Sequence, residues 1–152
     1  MHTSLLLATK NRLADLQDCL AAICHVRVPG GSGLEVLVVD NGSTDGTAEW
    51  LSSLPGDLAP RIRLVPLAEP LPGKSRALNR AIRASTGEFL AFIDDDVQVD
   101  PDWLEALEEG FRTGAGALQG GIKIGLGGPT PWWMSPRVEA ILAGTALWTE
   151  KT

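Results

Sequence analysis

At 152 residues the chain has the length of a single domain, and its 44% hydrophobic content is enough for a sizeable core. A net charge of −6 argues against a nucleic-acid footprint spread over the surface. No apolar run reaches the length of a membrane span, and Ser4 to Ala8 is too short for a signal-peptide core and lacks a basic flank. The expected compartment is therefore cytoplasmic; only Cys19 and Cys24 are present, which suggests free thiols rather than a disulfide framework or a zinc site.

Leu5 to Ala8 reads as a short buried strand, and Thr9-Lys10-Asn11-Arg12 as the polar loop that follows it. Leu13, Leu16, Leu20 and Ile23 recur at helical spacing, with Asn11 placed as the N-cap. After a break at Pro29-Gly30-Gly31-Ser32-Gly33, Glu35 to Val39 makes a second strand ending on Asp40. The loop Asn41 to Thr47 is dense in turn and cap residues and leads into a helix through Ala48, Leu51 and Leu54. Ile62 to Val65 is a third strand, Pro70 to Gly73 a stiff loop, and Lys74 to Ala84 a helix burying Ala77, Leu78, Ala81 and Ile82. Lys74 and Arg76 in its first turn oppose the helix dipole by roughly 0.3 to 1 kcal/mol each, which favours an anion bound at that end. Asp100 and Pro101 then open a helix with Trp103, Leu104, Leu107 and Phe111 inward. Ala117 to Ile124 is read as a fifth strand, and Trp132-Trp133-Met134 as packing for a weak last helix, Arg137 to Leu147. Such alternation implies an α/β fold, a mostly parallel central sheet with helices on both faces.

The most informative stretch is Phe89 to Asp96, where five apolar residues run straight into three carboxylates. The apolar run reads as a central strand buried on both faces. Ligands of open α/β sheets bind at the carboxyl ends of strands, so Asp94, Asp95 and Asp96 there suggest a site for a hard divalent cation and the phosphates it carries. Charge is also segregated: six basic residues and one acid lie between Arg61 and Arg83, and nine acids with no Lys or Arg between Glu88 and Glu109. Two such blocks facing each other would suit a ligand that is both anionic and metal-bridged.

One alternative is a P-loop-like NTPase, since Ala68 to Ser75 fits a relaxed phosphate-loop pattern in which Lys74 and Ser75 would meet phosphate and Asp94 would hold magnesium. Against it, Pro70 and Pro72 lack the N–H groups with which such a loop wraps phosphate.

Taken in order, Thr9 to Arg12, Val38 to Thr47, Lys74 to Asn79 and Ile93 to Asp96 resemble the inverting family 2 glycosyltransferases of the GT-A fold, over about residues 3 to 124. The resemblance implies a Rossmann-like three-layer α/β/α fold and a nucleotide-sugar donor, with UDP favoured and GDP or dTDP open. It implies that Thr9 and Arg12 line the nucleobase pocket, with Asn11 in the same loop, and that Asp40 accepts a hydrogen bond from the base. Arg76 and Asn79 would sit beside the nucleotide, Asp94 and Asp95 would contact ribose or sugar, and Asp96 would bind Mg²⁺ or Mn²⁺.

In that family the general base and the acceptor-binding segments follow the fifth strand. The expectation is therefore a nucleotide-sugar-binding domain over 1–124 and the start of a truncated acceptor-side region over 125–152, with the catalytic base and the acceptor unknown. Apolar surface left by a missing half would favour a homodimer.

Overall fold

Leu5, Leu6 and Leu7 are all fully buried, which three consecutive strand residues achieve only when both faces of their sheet are covered. They lie in β1 (His2–Thr9), the inner strand of a five-stranded sheet. The other strands are β2 (Gly33–Asp40), β3 (Asp57–Ala59), β4 (Ile62–Ala68) and β5 (Phe89–Phe92). Their order across the sheet is β3-β4-β2-β1-β5, and all neighbours are parallel except β3 with β4. This is a computed structural model. It describes residues 1–123, together with 125, 129, 131, 132, 134–136 and 138.

Among the described residues three helices connect the strands, α1 (Leu13–Cys24), α2 (Thr47–Ser53) and α3 (Lys74–Ala84), and a fourth, α4 (Trp103–Arg112), follows β5. On one face, Leu16, Cys19, Leu20 and Ile23 of α1, Leu51 of α2 and Leu104 of α4 pack with Leu5, Leu7, Val36, Val38 and Leu64 of the sheet. On the other, α3 sets Ala77 and Ala81 against Leu6, Leu37 and Val39. Small residues let that helix lie close to the strands, and the result is a three-layer α/β/α domain. No described helix is long and apolar enough to cross a membrane.

Several sequence expectations are corrected. Among the described residues the apolar strand before the Asp triplet is an edge strand rather than a central one: of the described strands only β1 pairs with β5, and Phe92 is 51% exposed. No strand forms over the described part of Ala117 to Ile124; Leu118 and Ile122 are exposed, and Ile124 lies outside the described residues. Asn11 is not an N-cap: its φ is 54°, and the residue before the first helical turn is Arg12, without a side-chain cap. Ile82 is exposed on α3, β4 runs three residues further than read, and the short β3 was missed. Trp132 is 96% exposed and so is not packing. Trp133 and all of Arg137 to Leu147 except Val138 lie outside the described residues.

At the amino ends of the strands, a buried polar staple fixes β5 against its neighbours. Glu35 of β2 accepts hydrogen bonds from Ser4 Oγ of β1 at 2.5 Å and from the Thr86 N–H at 2.6 Å, and Ser4 Oγ accepts one from the Gly87 N–H. Gly87 approaches so closely that a Cβ would stand 2.6 Å from the Ser4 backbone nitrogen. Burial pushes the Glu35 carboxyl up, but the hydrogen bonds from Ser4 and Thr86 and the nearby His2 outweigh it, and the carboxyl ends below its usual range.

Two stability predictions follow from this geometry. Gly87→Ala should cost about 1–3 kcal/mol in chemical denaturation, because the obstacle is backbone that cannot rotate away. Glu35→Gln keeps the shape but loses the charge-assisted part of the bonds, about 1 kcal/mol at pH 7. A carboxyl whose folded pKa is depressed stabilises above its unfolded pKa of about 4.3, and that contribution is lost as pH falls through the folded value. The gap between wild type and Glu35→Gln should therefore be constant above about pH 5 and close as pH falls below about 4.

Candidate active site

Parallel pairing brings the carboxyl ends of β2, β1 and β5 side by side, so the residues following each strand share one rim of the sheet. Thr9 ends β1, Asp40 ends β2, and Asp94 to Asp96 follow β5 by one residue. The helix α3 crosses on the opposite face and delivers Lys74 to the same rim, where its Nζ meets Asp94 Oδ1 at 2.5 Å. This is the contact between the basic and acidic blocks of the sequence.

The three carboxylates have different environments. Asp95 is buried, accepting a hydrogen bond from Thr9 Oγ1 at 2.7 Å and one from Arg12 at 3.2 Å. Asp94 and Asp96 are about half exposed, the first paired with Lys74 and the second with Arg12 at 3.0 Å. The middle residue of the triplet thus points inward and pins β1 to the turn after β5, leaving the outer two on the rim. Arg12 also donates to Asp15 from Nε at 3.0 Å. Hydrogen bonds to Asp15 and Asp96 and the charge of Asp95 hold its guanidinium above the usual range. Beneath the triplet, Cys19 is a core residue: burial, then the charges of Asp95 and Asp96, push its thiol up to about 12.

The two loops next to this rim are stitched together. Asn11 accepts a hydrogen bond from the Thr44 N–H at 2.7 Å, and its own N–H donates to Ser43 Oγ. Asp45 accepts from Thr47 Oγ1 and N–H at the start of α2 and from the Leu13 N–H at the start of α1, so one carboxylate caps both helices. Hydrogen bonds from Thr47, then from the Leu13 N–H, hold that carboxyl below its usual range. Asp40 is buried, with Oδ1 accepting the Ser43 N–H at 3.0 Å.

Asn41, buried beside Asp40, was not singled out in the sequence. It donates to the carbonyls of Glu69 and Leu71 and accepts from the Gly73 N–H, all at 2.8 Å, and so moulds the turn before α3. The Leu71 N–H is taken by Glu69 Oε1. With Pro70 and Pro72 in it, that turn has its N–H groups absent or already taken by the side chains of Glu69 and Asn41, which speaks against a phosphate-wrapping loop.

Of the nine residues picked out from the sequence, Thr9, Arg12, Asp94, Asp95 and Asp96 converge through direct bonds with one another or with Lys74, and Asn11 and Asp40 line the adjoining loop pair. Arg76 and Asn79 are exposed on α3 and hydrogen-bond no described residue through their side chains. Among the described residues, no group of three or more His, Cys, Asp or Glu forms a metal cage. A cation is offered only the outer carboxylates, which matches how Mg²⁺ is held in phosphate sites: one or two carboxylates, with substrate phosphates completing the shell.

A mostly parallel sheet in three layers, with acids at the carboxyl ends of β2 and β5, is the architecture of GT-A glycosyltransferases. Staphylococcus aureus TarS 1-349 superposes with a TM-score of 0.64 at 23% identity, over 74% of this chain and 33% of that one. A mannosyltransferase from Pyrobaculum calidifontis, solved with GDP-Man and Mn²⁺, gives a TM-score of 0.55 at 30% identity over 67% of this chain and 32% of that one. The model of glycosyl transferase family 2 matches residues 4–151, and the chain belongs to that family. The succinoglycan biosynthesis protein ExoM of Rhizobium meliloti is 35% identical over 124 residues, 81% of this chain and 40% of that protein. A beta-monoglucosyldiacylglycerol synthase of Nostoc is 34% identical over 117 residues, 76% of this chain and 25% of that protein. The chain therefore spans less than half the length of either relative.

Asn41→Ala should leave two carbonyls and one N–H of the turn before α3 without their partners. We expect a loss of about 1–3 kcal/mol in stability and faster amide exchange at Gly73, read by hydrogen–deuterium exchange.

Proposed function

We infer that this chain supplies the donor half of an inverting glycosyltransferase, binding a nucleoside-diphosphate sugar along the rim formed by β2, β1 and β5. The observation that carries this reading is the division of labour in the Asp triplet: Asp95 is consumed by internal bonds, while Asp94 and Asp96 stand exposed opposite Lys74 and Arg12. Residues 1–124 form the donor domain, and 125–152 open the acceptor side.

In this reading Asp40, buried with one oxygen already turned to Ser43, offers the other to a base N–H. The stitched loops of Asn11 and Ser43 form the wall beside the base. Lys74 and Arg76, at the amino end of α3, meet the diphosphate, where the helix dipole adds to their charge. Asn79 lies one turn further along, and Asp94 holds ribose or sugar hydroxyls. Asp96 would hold Mg²⁺ or Mn²⁺, which when bound supplies charge stabilisation to the departing diphosphate. Support for the donor class comes from relatives of the fold: TarS has been solved with UDP and with UDP-GlcNAc, and the Pyrobaculum enzyme with GDP-Man.

Inversion requires a base for the acceptor hydroxyl. In this reading the donor takes Asp94, the metal takes Asp96, and Thr9 and Arg12 take Asp95, so the base is a residue outside the triplet. A P-loop-like triphosphatase centred on Lys74, Ser75 and Asp94 draws no support from the relatives and conflicts with the N–H groups before α3, which Glu69 and Asn41 already occupy.

Calorimetric titration of UDP and GDP in the presence of Mn²⁺ tests the reading. Asp40→Ala should weaken nucleotide binding by about 10- to 100-fold, one lost buried hydrogen bond, and Asp96→Asn should remove the dependence on Mn²⁺. Nucleotide binding indifferent to both substitutions would overturn the reading. ATP with Mg²⁺ bound in a Lys74-dependent way would favour the triphosphatase.

A further inference from the structure

Arg12 and a divalent cation have a claim on the same carboxylate. The guanidinium reaches Asp96 Oδ2 at 3.0 Å, Asp95 Oδ1 at 3.2 Å and Asp15 Oδ2 at 3.0 Å, using a different nitrogen for each. Asp96 is the carboxylate that the donor-site reading gives to the metal, and a guanidinium held on its Oδ2 repels a divalent ion on the same carboxylate. The backbone that carries Arg12 is fixed, because Asn11 before it is pinned to Ser43 and Thr44 and Leu13 after it is bonded to Asp45. The side chain is 44% exposed and long, and its Nε bond to Asp15 gives it a pivot. Only the outer end has to swing.

We propose that Arg12 is a built-in counter-cation that competes with the divalent metal for Asp96 and makes metal entry depend on the diphosphate. The charge balance explains why. Four carboxylates, Asp15, Asp94, Asp95 and Asp96, facing Arg12 and Lys74 leave the cluster with two net negative charges. A divalent ion arriving alone uses up that charge and lies against the displaced guanidinium. An ion arriving with a nucleoside diphosphate leaves it negative and gives both Arg12 and Lys74 new phosphate partners. Metal and nucleotide then bind with positive coupling, and by linkage each raises the affinity of the other by the same factor. This inference rests on the assignment of the metal to Asp96, and the experiment separates the two.

The test is Mn²⁺ binding followed by electron paramagnetic resonance, which needs no acceptor and no turnover. Wild type, Arg12→Gln, Arg12→Lys and Asp96→Asn are titrated with MnCl₂ alone and with UDP. Removing one nearby positive charge at a half-exposed site should tighten binding of Mn²⁺ alone by about 5- to 10-fold in Arg12→Gln, and should shrink the enhancement by UDP by a similar factor. Arg12→Lys, which keeps the charge, should not show that gain. Equal Mn²⁺ affinity in wild type and Arg12→Gln, with binding lost in Asp96→Asn, would overturn the counter-cation and leave the metal site standing. An equal gain in Arg12→Gln and Arg12→Lys would overturn it as well, since the effect would follow side-chain shape and not charge. Absence of Mn²⁺ binding in every protein, with or without UDP, would overturn the metal assignment and the counter-cation with it.

Discussion

A single buried carboxylate organises this rim. Asp95 takes the hydroxyl of Thr9 on one oxygen and the guanidinium of Arg12 on the other, joining the end of the inner strand β1 to the turn after the edge strand β5. Removing the Thr9 hydroxyl, the bond made inside the fold, would leave that carboxylate to the half-exposed Arg12 alone, which is more costly than losing an exposed pair. That penalty makes the turn rigid, and the rigidity decides where Asp94 and Asp96 stand. The alternation of outward, inward and outward side chains over three residues follows from this one buried member.

The same economy of parts recurs in the neighbouring loops. Asp45 serves two helices, Asn41 satisfies three backbone groups of a distant turn, and Asn11 uses a left-handed backbone that its short polar side chain tolerates. None of these residues needs to touch ligand to matter. They remove conformational freedom from the loops before anything binds, so less ordering remains to be done at that moment. The Glu35 staple at the opposite end of the sheet does for β5 what these loops do for the rim.

Much of this was legible in the sequence. The alternation of apolar runs and amphipathic stretches identified four of the strands and all four helices, because a buried parallel sheet demands continuous apolar runs and its helices a one-sided stripe. Asp40 and Asp94 to Asp96 were recognisable for the same reason: acids directly after such runs have no role in packing. Lateral position was not legible. Phe89 to Phe92 is as apolar as an inner strand, yet its alternate residues are exposed, and nothing in a linear pattern states how many neighbours a strand has. Glu108 illustrates the converse. It sits on a charged helix turn and yet is nearly fully buried, accepting a hydrogen bond from Ser32, 76 positions away in the chain. The partners of Arg12 were hidden likewise, because its ends meet acids 83 and 84 positions away.

The two margins of the sheet are unequal. On one side, β3 is three residues long, antiparallel to β4 and interrupted in register, so it presents few unpaired backbone groups in line. On the other, among the described strands β5 pairs only with β1, and it carries Leu90 and Phe92 at the surface. A twisted sheet of this kind has a direction of growth, and here it is toward β5. Any strand added there, from whatever source, would lie beside the turn that bears Asp94 and Asp96. Widening the sheet and walling the reaction centre would be the same structural event, and sequence inserted on that side would alter what can approach the acids while leaving the Asp40 side as it is.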